Sequence, residues 1–483
     1  MNANKSIKSN IVLNCIKTAL NVIFPLITFP YISRVLGPVH VGKISFTNSV
    51  ISYFTLAASL GITTYSLREG AAVRDDTEER NRLFNEIFTV NFISTLISFI
   101  LLLIVNGMNT ALRSYSVLLL IQSLSLIFNW IGVEWIFNIY EDFLQITIRS
   151  FLAQLVSLIL MFLFVRTTDD YVVYTAITVF AAGGSFVFNF AHARKYYQPH
   201  LIRHCELKKH LKTMTVLAAN LFAITIYVNS DITMLGFMTG EYEVGLYSTA
   251  VKIYTIVKNI MAAIIVGVMP RVSYWFLNGQ KENYKALVNK MAQILILLCF
   301  PAMLGLFMVS DDIILILAGS DYLPSAGILK ILSFAIIFAV FGSFFSSYGL
   351  IVRRKDKTVL AFTVTSAVIN VVFNFILIPL LEIRGAALTT LISEATVCVA
   401  FMFKSEIKLD SRIIKNSIIT CVLSSSWIVG LCIFCRGITN IYVRLLITVA
   451  LSVMGVVVSA ILRKEEIVIN ELQIIMKKFR RRT

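Results

Sequence analysis

Hydrophobic positions along this chain gather into fourteen long runs separated by short polar connections. The runs cover residues 11–33, 43–65, 86–106, 115–137, 146–165, 171–191, 213–238, 244–268, 286–309, 325–351, 358–380, 385–403, 416–435 and 441–462. Each is roughly 19 to 25 residues, the length a helix rising 1.5 Å per residue needs to cross a hydrocarbon core of about 30 Å. The pattern predicts an all-α integral membrane protein of about fourteen transmembrane helices.

Basic residues mark the orientation. With the N-terminus in the cytoplasm, the inside connections and the tail hold 32 of the 43 lysines and arginines, and the outside connections hold eight. The remaining three, Lys17, Lys252 and Lys258, lie deeper within runs and count with neither side. An excess of this kind on alternate connections sets topology, so both termini are expected in the cytoplasm. The net charge of +16 then reads as attraction to an anionic inner leaflet, and nucleic acid is not needed as a partner.

Composition agrees: 57% of residues are hydrophobic and the mean hydropathy is +0.80. The longest inside connection leaves no room for a soluble domain, so any catalytic machinery would sit in helices or very short loops. The first run is long and has no small-residue cleavage site, and is expected to be a retained helix. The seven cysteines lie mostly inside runs and do not read as a disulfide framework. Cys432 and Cys435 form a C-x-x-C, for which small apolar-tolerant helix residues are the simpler reading than redox or metal chemistry.

The chain echoes itself. Leu36-Gly37 followed by Val41-Gly42-Lys43-Ile44-Ser45 resembles Leu235-Gly236 followed by Val244-Gly245-Leu246-Tyr247-Ser248. Six runs separate the copies, an even number, which predicts two parallel six-helix bundles related by a pseudo-two-fold along the membrane normal, with a path between them. The expected domains are residues 1–191, a basic cytoplasmic linker at 192–212, a second bundle at 213–403, and two additional helices with a basic tail at 404–483. The linker holds His192, His200, His204 and His210 beside Cys205. Their spacing implies no fixed metal geometry, so no metal site is expected, and an amphipathic segment on the inner leaflet is the preferred reading.

Ionisable groups inside a membrane are costly and therefore candidates for function. Lys17, Lys252 and Lys258 are candidate substrate-binding cations, with Arg34 and Arg271 nearer the run ends. Asp231 and Glu394 are coupling or structural carboxylates. Simpler alternatives stay open: Lys17 can snorkel to the surface, Asp231 and Lys252 can form a structural ion pair, Glu394 can satisfy Ser and Thr hydroxyls, and end-of-run arginines can anchor at headgroups. Three deep lysines against few deep carboxylates suggest a cationic cavity suited to an anionic cargo.

Several motifs carry a family resemblance. Pro30-Tyr31-Ile32-Ser33-Arg34-Val35-Leu36-Gly37-Pro38, Ser59-Leu60-Gly61-Ile62 with Arg68-Glu69, and Glu134-Trp135 with Tyr140-Glu141 lie in the first half. Met269-Pro270-Arg271 and the stretch Asn370 to Glu394 lie in the second. As a set they resemble the bacterial polysaccharide flippases, the O-antigen and capsule repeat-unit translocases of the multidrug, oligosaccharidyl-lipid and polysaccharide exporter superfamily. That resemblance implies alternating access and export of undecaprenyl-diphosphate-linked oligosaccharide across the cytoplasmic membrane. It also implies coupling to a proton or sodium gradient without another cofactor, and polysaccharide polymerase machinery as a neighbour. Most motif residues also have structural roles: Gly37-Pro38 as a turn, Gly385-Ala386-Ala387 for close helix approach, and Pro25, Pro301 and Pro379 as kinks.

Three other functions compete. A drug and cation antiporter of the same superfamily should carry acidic lumen residues, against which the deep lysines argue. A peptidoglycan-precursor flippase is separated by the motif set alone. A membrane glycan polymerase, the enzyme alternative, should carry a sizeable outside loop, and none is present.

Overall fold

Gly37 divides the first helix into two passes. Its φ of 70° and ψ of 171° leave the helical region, a conformation that costs glycine nothing because it has no Cβ. Pro38 follows, and its fixed φ and missing N–H suit the first turn of the next pass. The connection predicted over residues 34–42 is thus a single-residue kink, and α1 (Ile7–Ser59) holds the first two predicted spans. This computed structural model describes residues 7–203 and 206–463, with side chains from Phe24 onward except at 207–209, 212, 216, 220 and 424.

Beyond α1 come α2 (Ile62–Ala72), α3 (Thr77–Met108), α4 (Thr110–Arg113), α5 (Ser116–Ile131), α6 (Glu134–Ile139), α7 (Phe143–Phe164), α8 (Tyr171–Ala193) and α9 (Leu207–Met238). Next are α10 (Glu241–Leu277), α11 (Lys281–Met308), α12 (Ser310–Leu317), α13 (Ser325–Phe344), α14 (Asp356–Leu381), α15 (Ile383–Lys404), α16 (Ser411–Phe434) and α17 (Ile441–Leu462). Among the described residues no strand occurs, and 12 segments are long and apolar enough to cross a membrane. One of these, Phe24–Ala72, runs from the latter part of the first pass through Gly37, the second pass and α2, and α5 is a shorter apolar helix at the fourth predicted span. Every predicted span therefore has its helix. The fourth is shortened because Val133, at φ 38°, leaves the helical region and starts α6.

Local chemistry fixes the helix starts. Asp76 accepts hydrogen bonds from the backbone N–H groups of Glu78 and Glu79 at 3.0 and 3.1 Å, and those two glutamates face the positive end of α3. Asn109, Asp410 and Asn440 cap α4, α16 and α17 in the same way. Along α3 the polarity is inverted relative to a helix in water. Asn91, Ser94, Thr95 and Ser98 are buried, while Leu96, Ile97, Ile100 and Ile104 are exposed. Lipid solvates the apolar face, so polar groups turn inward to find partners.

The chain forms two compact units, Met1–Gly245 and Leu246–Thr483. The sequence echo puts α9 at the head of the second half, whereas α9 packs against α1 within the first unit. There the two copies of the echo meet. A Cβ on Gly42 would strike the Glu241 carbonyl and lie 2.9 Å from the Gly245 nitrogen, and one on Gly245 would strike the Pro38 carbonyl. Only glycine permits this backbone approach.

The first unit's core joins Ile62, Tyr65, Phe84, Phe88, Trp135 and Ile136 from α2, α3 and α6. The segment after α8 packs onto it: Tyr196 stacks on Tyr140 with ring centroids 4.3 Å apart, and the Asn85 amide donates to the Tyr197 hydroxyl at 2.9 Å. Residues 194–203 of the expected 192–212 linker are thus a non-helical strap packed against this core through Tyr196 and Tyr197. In the second unit α15 packs on α13 and α14. Gly385 lies against the Leu377 backbone, and Ala386 and Ala387 are fully buried. The close approach expected of this motif is present.

Candidate functional site

Tyr254 and Lys258 are four positions apart on α10 and so share a helix face. That face meets α15 at Glu394. The Lys258 ammonium lies 3.6 Å from Glu394 Oε1, and the Tyr254 hydroxyl donates to the same oxygen at 3.1 Å. The ammonium also sits 5.1 Å from the centre of the Tyr254 ring. Two turns before Tyr254 on α10 and one turn before Glu394 on α15, Tyr247 and Thr390 share a hydrogen bond of 3.1 Å. Glu394 is buried and Lys258 keeps 28% of its side chain exposed, so the pair is half open. A charge at this depth is tolerated because its partner and a hydroxyl replace lost water.

Each remaining candidate has a definite place. Asp231 is buried on α9 in the first unit, beside a hydrogen-bonded chain from Tyr53 through Thr233 to Ser49. Lys252 is half-buried on α10. Arg34 is exposed and donates to the Pro30 carbonyl at 2.6 Å. Arg271 is exposed and stacks over the Trp275 ring at 5.0 Å. The side chain of Lys17 lies outside the described residues. The structure therefore brings Lys258 and Glu394 together, and the positive charge read from Lys258 alone is shared with a carboxylate.

A second cluster went unread in the sequence. His210, fully buried at the start of α9, lies between two partners. Its Nε2 is 2.7 Å from Glu86 Oε2 and its Nδ1 is 2.7 Å from the Tyr65 hydroxyl. Because an ionised carboxylate only accepts, Nε2 carries the proton toward Glu86, and Nδ1 exchanges a hydrogen bond with Tyr65. Glu86 also accepts from Arg82 at 3.2 Å, and Arg82 reaches Glu206 at 2.8 Å. This network ties α2, α3 and α9 together. A carboxylate opening the third apolar run was the available signal. Among the described residues no cluster of three His, Cys, Asp or Glu side chains suits a metal; His204 and Cys205 lie outside them. Cys432 and Cys435 are buried free thiols.

The second unit has a recess of about 350 Å³ whose lining includes Lys281, Tyr284, Lys285, Arg353 and Lys408 together with the Glu406 carboxylate. Arg353 donates to the Gly349 carbonyl at 2.7 Å and to the Tyr284 hydroxyl at 3.1 Å. That carbonyl belongs to a π-helical stretch, Phe345–Ile351, which continues α13 and displaces its backbone register. Lys355 bonds Glu406 and holds its carboxyl below the usual range. Side chains of this kind offer charge and hydrogen bonds for holding a polar, anionic group at the membrane edge.

Known proteins share this architecture. A family profile described as "Polysaccharide biosynthesis protein" matches residues 7–276, and the MatE profile matches residues 217–376. A protein of Escherichia coli strain K12 named as an O-antigen transporter is 23% identical over 401 residues, covering 82% of this chain and 96% of its own. A Haloferax volcanii protein named as a low-salt glycan biosynthesis flippase is 28% identical over 167 residues, 34% of this chain and 35% of its own. Among solved structures, the lipid II flippase MurJ in an inward closed conformation superposes with a TM-score of 0.77 at 16% identity, over 95% of this chain and 100% of that one. The chain is a multi-pass membrane protein of the polysaccharide biosynthesis protein family, with the fold of the multidrug, oligosaccharidyl-lipid and polysaccharide exporter superfamily.

Proposed function

We propose that this protein is a flippase that moves an oligosaccharide repeat unit linked to undecaprenyl diphosphate from the inner to the outer leaflet of a bacterial cytoplasmic membrane. The unit is destined for a surface polysaccharide, and is handed on to polymerase machinery. The observation that carries the reading is the similarity, over 82% of this chain, to the E. coli protein named as an O-antigen transporter. The lipid tail stays in the bilayer while the charged, sugar-bearing head crosses by alternating access, and no bond is made or broken. Lys252, Arg34 and Arg271 contribute positive potential along this path, and the Lys258–Glu394 pair contributes a polar site that can open to exchange partners. Desolvation of the head is the main barrier, which polar and cationic walls reduce. Outward movement of negative charge is itself favoured by a negative-inside potential, by about 2.3 kcal/mol per charge per 100 mV. Coupling to a proton or sodium gradient supplies the remaining drive.

Deleting the gene in its host and measuring lipid-linked oligosaccharides together with surface glycan tests the function. Inside accumulation with loss of surface glycan, reversed by the intact gene, is the expected result. Unchanged pools and glycan would overturn it. In vesicles the purified protein should translocate its lipid-linked sugar without changing its mass.

A further inference from the structure

The membrane-facing surface of the first unit carries a groove of about 600 Å³ between α7 and α8 that the transport reading does not use. Its floor is made of small buried residues, Ala153, Gly184 and Ser185, and its walls are the exposed Leu152, Val156, Phe180 and Phe188. Small residues facing large ones leave a channel along the helix pair. From Phe180 to His192 the groove follows α8 for about 18 Å by helical rise, close to the depth of one leaflet of a core of about 30 Å.

One end is polar. Arg149 lines it and makes only neutral hydrogen bonds: to Asn189 Oδ1 at 3.0 Å, and to the Phe188 carbonyl and Gln145 Oε1 at 3.4 Å. The carboxylate acting on it, Asp142, is engaged by Lys195 at 3.4 Å and by the Tyr196 hydroxyl at 2.7 Å. Asn189 is 1% exposed, and with its oxygen turned to Arg149 its Nδ2 has no hydrogen-bond partner. His192 beside it lines the groove with an unpartnered Nε2. A buried donor without a partner is costly, and a guanidinium whose own hydrogen bonds all go to neutral groups attracts an anion at the membrane edge.

We propose that this groove is a binding site for a single anionic glycerophospholipid of the bilayer, with an acyl chain between the walls and the phosphate on Arg149. The inner leaflet is assigned because the polar end adjoins the basic strap, and that assignment rests on the topology in the functional reading. The occupant is a bilayer lipid because the walls are exposed apolar side chains of two membrane-spanning helices, and the groove runs about the depth of one leaflet.

Native mass spectrometry of the full-length protein in detergent tests this, with phosphatidylglycerol, phosphatidylcholine of the same chains, and undecaprenyl phosphate as probes. One phosphatidylglycerol should be retained in preference to phosphatidylcholine. Arg149→Gln, which can still bond Asn189, should weaken that retention by about five-fold, the worth of one basic residue at an anionic surface, and Arg149→Lys should keep most of it. Equal retention of the two phospholipids, or no effect of Arg149→Gln beside an unchanged melting temperature, would overturn the proposal. So would one-for-one displacement of phosphatidylglycerol by undecaprenyl phosphate, which would give the groove to the cargo's tail. The readout is binding to purified protein, so failure of the transport function leaves it standing, and its own failure leaves the flippase reading intact.

Discussion

Lys258 on α10 and Glu394 on α15 stand 3.6 Å apart, 136 positions distant in sequence, with the Tyr254 hydroxyl on the same carboxylate oxygen. Two groups that looked like separate candidates, a cation and a coupling carboxylate, are one site. Removing either partner strands the other charge, at a cost of about 3 kcal/mol when burial is deep. Lys258→Ala and Glu394→Ala should each lower the melting temperature in detergent and reduce restoration of surface glycan in a deletion strain. Lys258→Arg should retain part of both. In a double-mutant cycle the paired variant should lose less than the sum of the singles; strict additivity would mean the two side chains do not interact.

His210→Ala leaves the buried Glu86 carboxylate and Tyr65 hydroxyl without their shared partner. An orphaned buried polar group costs about 1–3 kcal/mol, so a clear drop in thermal stability is expected, with earlier proteolysis within residues 194–203. A variant that melts with the wild type would show that the triad contributes nothing to holding α9.

Glycine positions separate by what surrounds them. Gly385→Ala would press a methyl group against the Leu377 carbonyl, whereas Gly267→Ala meets nothing within 4 Å. The first should destabilise by about 1–3 kcal/mol and the second should be neutral or mildly stabilising. Comparing the melting temperatures of the two alanine variants checks this, and equal values would contradict the packing of α14 on α15.

Glu406 gives an acid-sensitive contact. Its carboxyl is held low by Lys355, so the pair adds stability above the ordinary glutamate value of about 4.3 and loses it as pH falls through the lowered folded value. Hydrogen exchange over residues 404–410, corrected for intrinsic rate, should quicken below that range in the wild type. Glu406→Gln should exchange quickly at every pH, and an acid response surviving in that variant would point to another group.

Topology is open to chemical labelling. Arg113 and Lys281 are both exposed, on connections of opposite predicted side. A membrane-impermeant maleimide added to intact cells should label Arg113→Cys, and label Lys281→Cys only after permeabilisation, with the parent protein as blank. The reverse pattern would invert the orientation and place the α7–α8 groove in the other leaflet.

Much of the fold was written locally. Length and hydropathy of each run gave the helices, because a segment's preference for hydrocarbon depends on its own side chains and not on its neighbours. The turn at Gly37-Pro38 was legible for the same reason: glycine tolerates the positive φ seen there and proline suits the start of the next pass, whatever packs around them. The pairing of Lys258 with Glu394, the capture of His210 by Glu86 and Tyr65, the meeting of Gly42 with Gly245, and the grouping of α9 with α1 were decided only by tertiary structure. Each depends on which helices touch and on their rotation about their axes. A helix that is apolar nearly all round has too weak a moment to reveal that rotation, so the partner of a buried charge emerges only when the helices pack.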